Sequence, residues 1–219
     1  MGKDKMWESI LEPWKACFEE AWSSYCNGSI PIGAVLVDKK DNVISRGRNR
    51  VNESVAPDKQ TCSNRLAHAE INVLLQIKST QSEDLKEYIL YTSTEPCVLC
   101  FGAIVMSGVR KVRYAAIDTV AGGTDLNTSH NDFIKSRNIE IEIGNKLLGN
   151  VQRVLRTDHV IRSLGFEKAN RFLKNYRIHY PEAVDLGMKW YEYDRLQKAI
   201  SDYTPISEIF NEIAKEIRP

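Results

Sequence analysis

The feature that most constrains this 219-residue chain is a pair of short segments rich in metal-binding side chains. The first is His68-Ala69-Glu70, and the second is Pro96-Cys97-Val98-Leu99-Cys100. One histidine and two cysteines give three ligands and leave one position open, as in catalytic zinc sites, whereas structural zinc sites normally fill all four positions. Both segments fall where a helix is predicted to begin. Two facing helix N-termini can hold the metal between them, and their dipoles favour the thiolate forms of the cysteines.

Glu70 is expected to play a different part from the three ligands. It follows His68 at a spacing that, on a helix, turns its side chain away from the direction of the histidine. We therefore expect Glu70 beside a zinc-bound water, whose pKa zinc can lower to about 7. A carboxylate there can take a proton from the water and pass it to a departing amine. This equipment suits the addition of water to an electron-poor ring carbon with loss of ammonia.

A structural zinc site and a redox dithiol are the alternatives for Cys97 and Cys100, because both also use a CxxC spacing. Neither alternative accounts for Glu70. The chain has five cysteines, an odd number, and its start lacks a secretion signal, so a disulfide framework is not expected. The remaining cysteines, expected as free or buried thiols, are Cys17, Cys26 and Cys62.

Hydrophobic periodicity predicts an α/β fold with three layers and a mixed sheet. The order along the chain is helix, hairpin, helix, strand, helix, strand and strand. The predicted strands are 33–37, 43–47, 88–92, 111–117 and 139–143. The first helix carries an apolar stripe made of Trp7, Ile10, Leu11, Trp14, Phe18, Ala21, Trp22 and Tyr25, and it ends at Asn27-Gly28. A polar loop over 52–64 precedes a helix with Ala67, Ile71, Leu74 and Leu75 on its apolar side, and another helix is expected over 97–107, stopped by Gly108.

From about Leu147 the chain is predicted to be helical and aromatic, with breaks at Pro181 and Gly187. Its aromatic side chains can form a lid over a pocket, or they can pack on the domain or on a partner subunit. The aromatic residues are Phe166, Phe172, Tyr176, Tyr180, Trp190, Tyr191 and Tyr193.

The charge balance is close to neutral, with 30 basic and 29 acidic side chains. This weakens the case for a nucleic-acid partner without excluding a local basic patch. A basic stretch in the tail can follow a phosphate backbone, or it can be a solvated helix face interspersed with Asp158 and Glu167. The stretch comprises Arg153, Arg156, Arg162, Lys168 and Arg171. The isolated histidines, expected at the surface or in structural hydrogen bonds, are His130, His159 and His179.

No apolar run approaches the roughly 18 residues that a bilayer-spanning helix needs. The first six residues also lack the apolar centre of a signal peptide. We therefore expect a cytoplasmic protein with no membrane partner.

At the two ligand segments the chain resembles the cytidine/deoxycytidylate deaminase superfamily, whose signature combines H-x-E with P-C-x-x-C. It is most similar to the branch of tRNA-adenosine deaminases, guanine deaminases and fungal-type cytosine deaminases. The resemblance runs from about Trp14 to Leu155. The segments that carry it are 30–37 (IPIGAVLV), Arg48-Asn49, 67–70 (AHAE) and 94–100 (TEPCVLC).

Membership of this superfamily implies an α/β/α fold with a five-stranded sheet, and a dimer or higher oligomer. It implies Zn²⁺ on His68, Cys97 and Cys100, with Glu70 as the proton shuttle. It also implies that Asn49 contacts the base through its amide, although an asparagine here can instead cap a turn. Backbone groups of Ala69 and of Ser93, Thr94 and Glu95 are expected to complete the pocket.

The resemblance predicts a zinc-dependent deaminase domain over residues 1–160 and a helical aromatic extension over 161–219, acting as a lid or an oligomer contact. We expect hydrolytic removal of the exocyclic amine of a small purine or related base, or its nucleoside, because a capped pocket would block a folded RNA. The alternatives are a tRNA-adenosine deaminase and a non-catalytic zinc-containing scaffold. The presence of Glu70 argues against the scaffold, which has no need of a proton shuttle.

Overall fold

A computed structural model describes the chain over residues 6–78 and 84–217. The strands in this part of the chain are β1 Gly33–Val37, β2 Val43–Arg48, β3 Ile89–Thr94, β4 Lys111–Ala116 and β5 Glu140–Ile143. They form one sheet in the order β2-β1-β3-β4-β5, and each strand overlaps its predicted range. β1 is antiparallel to both neighbours, whereas β3, β4 and β5 run parallel. The predicted five-stranded mixed sheet is therefore confirmed.

Helices cover both faces of the sheet. Their bounds are α1 Met6–Ser9, α2 Glu12–Cys26, α3 Ala69–Leu74, α4 Val98–Ser107, α5 Asp132–Arg137, α6 Lys146–Leu164, α7 Phe166–Tyr176, α8 Pro181–Glu192, α9 Arg195–Ser201 and α10 Ile206–Glu216. Alternate residues of β1 separate the two cores, because successive strand side chains point to opposite faces. Val35 and Val37 pack with α2 and α6, whereas Ala34 and Leu36 pack with α3 and α4. This confirms the α/β/α layers.

The opening helix differs from its prediction as one continuous element. The structure interrupts it between α1 and α2, where Pro13 occupies the first turn of the second helix. A proline is tolerated there because its missing N–H would have no intrahelical partner. Leu11, expected on the apolar stripe, lies at this interruption and is exposed. Trp7, Trp14, Phe18 and the later members of the stripe are buried as predicted.

The apolar side predicted for the helix after the polar loop is also wrong in part. Leu75 is exposed, and the buried face of α3 includes the polar residues Glu70 and Asn72. Asn72 can turn inward because its side-chain amide bonds the backbone of Arg48 and of Thr61. The inward face of this helix therefore carries polar side chains, Glu70 and Asn72, beside its apolar ones.

The C-terminal extension shares the core on the α2 and α6 side of the sheet. Tyr180, Trp190 and Phe210 are buried in the same hydrophobic cluster as Phe18 of α2. Pro181 begins α8, as the sequence predicts. The break predicted at Gly187 is wrong, because this glycine lies inside α8. It is needed there for close helix packing, since an added Cβ would lie 2.7 Å from Cβ of Thr157.

Residue 160, where the two predicted parts meet, lies within α6, so one helix runs through the boundary. The division into 1–160 and 161–219 stays a prediction, as does a lid over the site. Over the part of the chain that the structure describes, no helix is both long and apolar enough to cross a membrane.

The predicted basic stretch is not a uniform solvated face. Arg153 and Asp158 are both buried in α6. Arg162 pairs with Asp158 and with Asp194 of the extension. Arg153 and Arg162 are thus held by internal contacts, whereas Lys168 and Arg171 remain exposed.

Candidate active site and metal centre

Three side chains meet where α3 and α4 begin. His68 is the N-cap residue of α3, Cys97 is the N-cap residue of α4, and Cys100 lies in the first turn of α4. Their ligand atoms all lie within 4.8 Å of one another. Nδ1 of His68 is 3.5 Å from Sγ of Cys97 and 3.4 Å from Sγ of Cys100. One imidazole nitrogen and two sulfurs at the ends of two helices form a ligand set suited to zinc.

The electrostatics of the cluster favour a thiolate at Cys97. Hydrogen bonds from Cys100 and from His68 lower the pKa of Cys97 to about 4. The hydrogen bond to Cys97, together with burial, raises the pKa of Cys100. The His68 ring also bonds the backbone of Arg65, and the Cys97 contact is the main cause that raises the pKa of His68. A second contact of this kind fixes the orientation of a ligating imidazole.

Glu70 lies beside the three ligand side chains. It is buried, and burial raises the pKa of its carboxyl group. Oε1 accepts a hydrogen bond of 2.9 Å from the hydroxyl of Thr92, and Oε2 lies 3.2 Å from Sγ of Cys100. The carboxylate is therefore held from the sheet side and faces the sulfur of Cys100.

Comparison with known proteins identifies the family. The profile described as "Cytidine and deoxycytidylate deaminase zinc-binding region" matches residues 9–116. The tRNA-specific adenosine deaminase of Aquifex aeolicus is 32% identical over 124 residues, which are 56% of this chain and 72% of that protein. The chain belongs to the cytidine and deoxycytidylate deaminase family.

Other relatives of the chain carry different names. The probable cytosine deaminase of Schizosaccharomyces pombe is 42% identical over 85 residues, and the match spans 39% of this chain and only 46% of that protein. A solved structure of a variant of NE0047 in complex with 8-azaguanine superposes with a TM-score of 0.50 at 26% identity. That superposition covers 67% of this chain and 82% of the other. The matching profile describes a zinc-binding region, and His68, Cys97 and Cys100 are side chains that can form such a site.

Asn49, the predicted base-contacting residue, is buried directly after β2. Its Oδ1 accepts a hydrogen bond of 3.2 Å from the backbone N–H of Val51, which is the turn-capping contact that we considered as the alternative. The next residue, Arg50, bonds the carbonyl of Ala67, so Asn49 lies alongside the segment that enters His68. The capping contact occupies Oδ1 and leaves the amide nitrogen as the group that can meet a base.

The other predicted pocket residues lie at the end of β3 and the start of α3. Ala69 is fully buried in the first turn of α3. Oγ of Ser93 accepts a hydrogen bond from the backbone N–H of Gly33. The backbone N–H of Glu95 donates to the carbonyl of Ala116 and is therefore engaged within the fold. The hydroxyl of Thr94 is buried and has no hydrogen-bond partner among the described residues.

Two side-chain contacts that support the site were not predicted from the sequence. Thr92 holds Glu70, and the Glu95 side chain bonds the loop after β4. A threonine at the carboxyl end of a predicted buried strand was the available signal for the first. The glycine pair Gly122-Gly123 was the available signal for the second, because it marks a close approach of two backbones.

The long loop between β2 and α3 is anchored by charged groups. The carboxylate of Glu53 is largely buried, and it accepts hydrogen bonds from the guanidinium groups of Arg48 and Arg50. Arg50 also donates to the side chain of Gln60. These contacts fix the loop that leads from Asn49 to His68.

Proposed function

We propose that this chain is a zinc-dependent hydrolytic deaminase that removes the exocyclic amine of a nucleobase. The observation that carries the proposal is the clustering of His68 Nδ1 with the sulfurs of Cys97 and Cys100, with the Glu70 carboxylate beside them. A structural zinc site or a redox dithiol has no use for this buried carboxylate.

Zinc held by the three side chains would supply a Lewis acid that makes a water molecule nucleophilic near neutral pH. Glu70 takes the proton from the attacking water and delivers it to the exocyclic nitrogen. A carbon–oxygen bond forms at the ring carbon, the carbon–nitrogen bond breaks, and the nitrogen leaves as ammonia. The Thr92 hydroxyl holds Oε1, which leaves Oε2 to carry the proton.

Asn49 and Thr94 are the proposed groups that orient the base. Asn49 offers the amide nitrogen that its turn does not use, and Thr94 offers a buried hydroxyl without a partner among the described residues. A buried polar group without a partner is costly unless a ligand satisfies it. In this proposal Ala69, Ser93 and Glu95 shape the same pocket through their backbones.

We favour a small purine or related base, or its nucleoside, as the substrate. Arg153 and Arg162 from the basic stretch are used inside the fold, so this stretch offers fewer free cations to a phosphate backbone. The net charge of +1 gives no general attraction to RNA. The solved relative in complex with 8-azaguanine supports a purine-like ring.

The second candidate is deamination of adenosine in tRNA. The relatives that favour it are named tRNA-specific adenosine deaminases, and the protein from Bacillus subtilis is 33% identical over 83% of its length.

A homodimer is also part of our proposal, and light scattering of the purified protein would test it.

Ammonia release from a panel of free bases, nucleosides, nucleotides and unmodified tRNA tests the proposal. Zinc-loaded wild type is compared with Glu70→Gln, and the zinc content of both proteins is measured. We expect turnover of a small compound that falls by about 10²- to 10⁴-fold in the variant, with zinc retained. Inosine formed only in tRNA would favour the second candidate. A zinc-loaded wild type inactive on the whole panel would overturn the proposed activity and favour the scaffold.

A further inference from the structure

The loop after β4 lies directly on the segment that carries the ligand Cys97. The backbone N–H of Gly123 donates to the carbonyl of Pro96, and Gly122 forms a β-bridge with Cys97. Both glycines approach too closely for a side chain. A Cβ on Gly122 would lie 2.6 Å from Cδ of Glu95, and one on Gly123 would lie 2.7 Å from Cα of Val98. The conformation of this loop therefore constrains the backbone on either side of Cys97.

Glu95 fastens the loop at both ends. Oε2 accepts a hydrogen bond of 2.9 Å from the backbone N–H of Asp118, and Oε1 accepts one from the hydroxyl of Thr124. Glu95 is separated from Cys97 only by Pro96, whose ring fixes its own backbone torsion. A displacement of Asp118 would therefore be transmitted to Cys97 through Glu95 and Pro96.

The residue before this loop, Ile117, is held from the far side of the sheet. Its backbone N–H donates to the hydroxyl of Tyr180 at 3.1 Å, and its carbonyl accepts a hydrogen bond from the guanidinium of Arg153. β4 ends at Ala116, so these two side chains satisfy Ile117 beyond the end of the strand. Arg153 lies in α6, and Tyr180 lies at the start of α8 in the extension.

Arg153 is a charged side chain that is almost completely buried. It is 1% exposed, and its guanidinium lies 4.3 Å from the ring centroid of Tyr176 and 5.9 Å from that of Tyr180. No ion pair of Arg153 with a carboxylate is found among the described residues. Burial of an unpaired cation opposes folding unless other contacts offset it. Tyr180 in turn fits closely against α6, because a Cβ at Gly149 would lie 2.4 Å from its ring.

We propose that Tyr180, together with Arg153, is a positioning residue for the active site, which it reaches through Ile117, the loop 118–124, Glu95 and Cys97. This inference rests on the proposed zinc-dependent function. It means that the extension helps to position the site from the far side of the sheet, in addition to any role as a lid. Tyr180 does not touch the site. Loss of its hydroxyl therefore changes the placement of Cys97 and leaves the groups that contact the base in place.

Tyr180→Phe tests the proposal, because it removes the hydroxyl and keeps the ring on Arg153 and Gly149. Tyr25→Phe is the control, since it also removes a buried hydroxyl, which donates to Asp158 and accepts from the side chain of Gln197 without contacting Ile117. The readouts are zinc affinity by chelator competition, kcat and KM on the active compound, and thermal unfolding of the zinc-free proteins.

We expect Tyr180→Phe to weaken zinc binding and to lower kcat by about 3- to 10-fold each, below the effect of groups that contact a ligand directly. KM should change less than twofold. Tyr25→Phe should lower the unfolding temperature and leave zinc affinity unchanged. Equal zinc affinities in wild type and Tyr180→Phe, or equal losses in both variants, would overturn the proposal.

A double-mutant cycle with Glu95→Gln tests the route itself. Tyr180 and Glu95 are linked through Ile117 and Asp118. The fold-change in zinc affinity of the double variant should therefore differ from the product of the two single-variant fold-changes. Independent effects would contradict the route. If no compound is deaminated, zinc affinity still tests positioning separately. If deamination is found and Tyr180→Phe is neutral, only the positioning proposal fails.

Discussion

The hydroxyl of Thr92 donates a hydrogen bond of 2.9 Å to Oε1 of Glu70, which ties the proposed proton shuttle to the central strand of the sheet. The same hydroxyl lies 3.2 Å from the carbonyl of Thr94, so the contact is part of the local structure at the end of β3. Both partners are buried. The orientation of Glu70 therefore depends on β3 as well as on its own helix.

Thr92→Val should lower kcat by about 10-fold, because the carboxylate loses the contact that fixes its rotamer. Valine keeps the shape of the side chain, so zinc content and unfolding temperature should change little. Thr92→Ser restores the hydroxyl and should recover most of the activity. Steady-state kinetics with metal analysis checks this, and a Thr92→Val enzyme as active as wild type would show that Glu70 needs no support from the sheet.

Removal of a ligand sulfur should remove the metal. Cys97→Ser is expected to lower zinc content from about one ion per chain to a small fraction, because the thiolate is one of only three protein ligands. Cys62→Ser is the control, since Cys62 lies outside the cluster of ligand atoms. Elemental analysis after dialysis gives the measurement. Full zinc retention in Cys97→Ser would place the metal elsewhere.

The meeting of His68, Cys97 and Cys100 could be predicted from the sequence because their signal is local. His68, Cys97 and Cys100 each lie at a helix start, and residue type and spacing along the chain mark such positions. Thr92 was missed because its partner Glu70 comes from another element, and only the folded sheet brings the two together. The engagement of Oδ1 of Asn49 with its own turn was foreseen only as an alternative, because the sequence favours both uses of the amide.

Some helix boundaries and one helix were also mispredicted, and each error has a physical reason. Pro13 indicates a helix start, but the continuous apolar stripe concealed the interruption before it. The short helix α5 was not predicted, although Asn131 caps its first turn and Asn138 ends it in a left-handed conformation. Gly187 lies inside a helix for close packing, which depends on a neighbouring helix that the local sequence does not reveal.

The contrast between two helical glycines gives a stability test with opposite signs. Gly187→Ala should destabilise the protein by about 1–3 kcal/mol, because the new methyl group would overlap Thr157. Gly102→Ala in α4 should stabilise it by about 0.5–1 kcal/mol, since a Cβ there meets no atom within 4 Å and alanine favours the helix. Chemical denaturation of both variants checks the signs. If both variants changed the free energy of unfolding in the same direction, α6 and α8 would be able to move apart at little cost in free energy.

His159 provides a test of pH dependence away from the metal centre. Burial, with a smaller contribution from the charge of Arg156, lowers the pKa of His159 to about 3. Nδ1 of its ring accepts a hydrogen bond of 2.9 Å from Nη1 of Arg156, and the ring lies edge-on to Tyr25. An unfolded histidine has a pKa of about 6.5, so between these two values the unfolded chain binds more protons than the folded one.

The stability from a neutral His159 is therefore fully present above about pH 6.5 and is lost progressively as the pH falls toward about 3. The loss approaches about 1.4 kcal/mol per pH unit, or about 2 kcal/mol by pH 5. Urea unfolding at pH 7, 6 and 5 should show wild type losing this much more than His159→Gln. His130→Gln, which alters an exposed histidine, should follow wild type. Parallel pH curves for wild type and His159→Gln would mean that His159 becomes protonated in the folded protein at little cost, so that water reaches its ring.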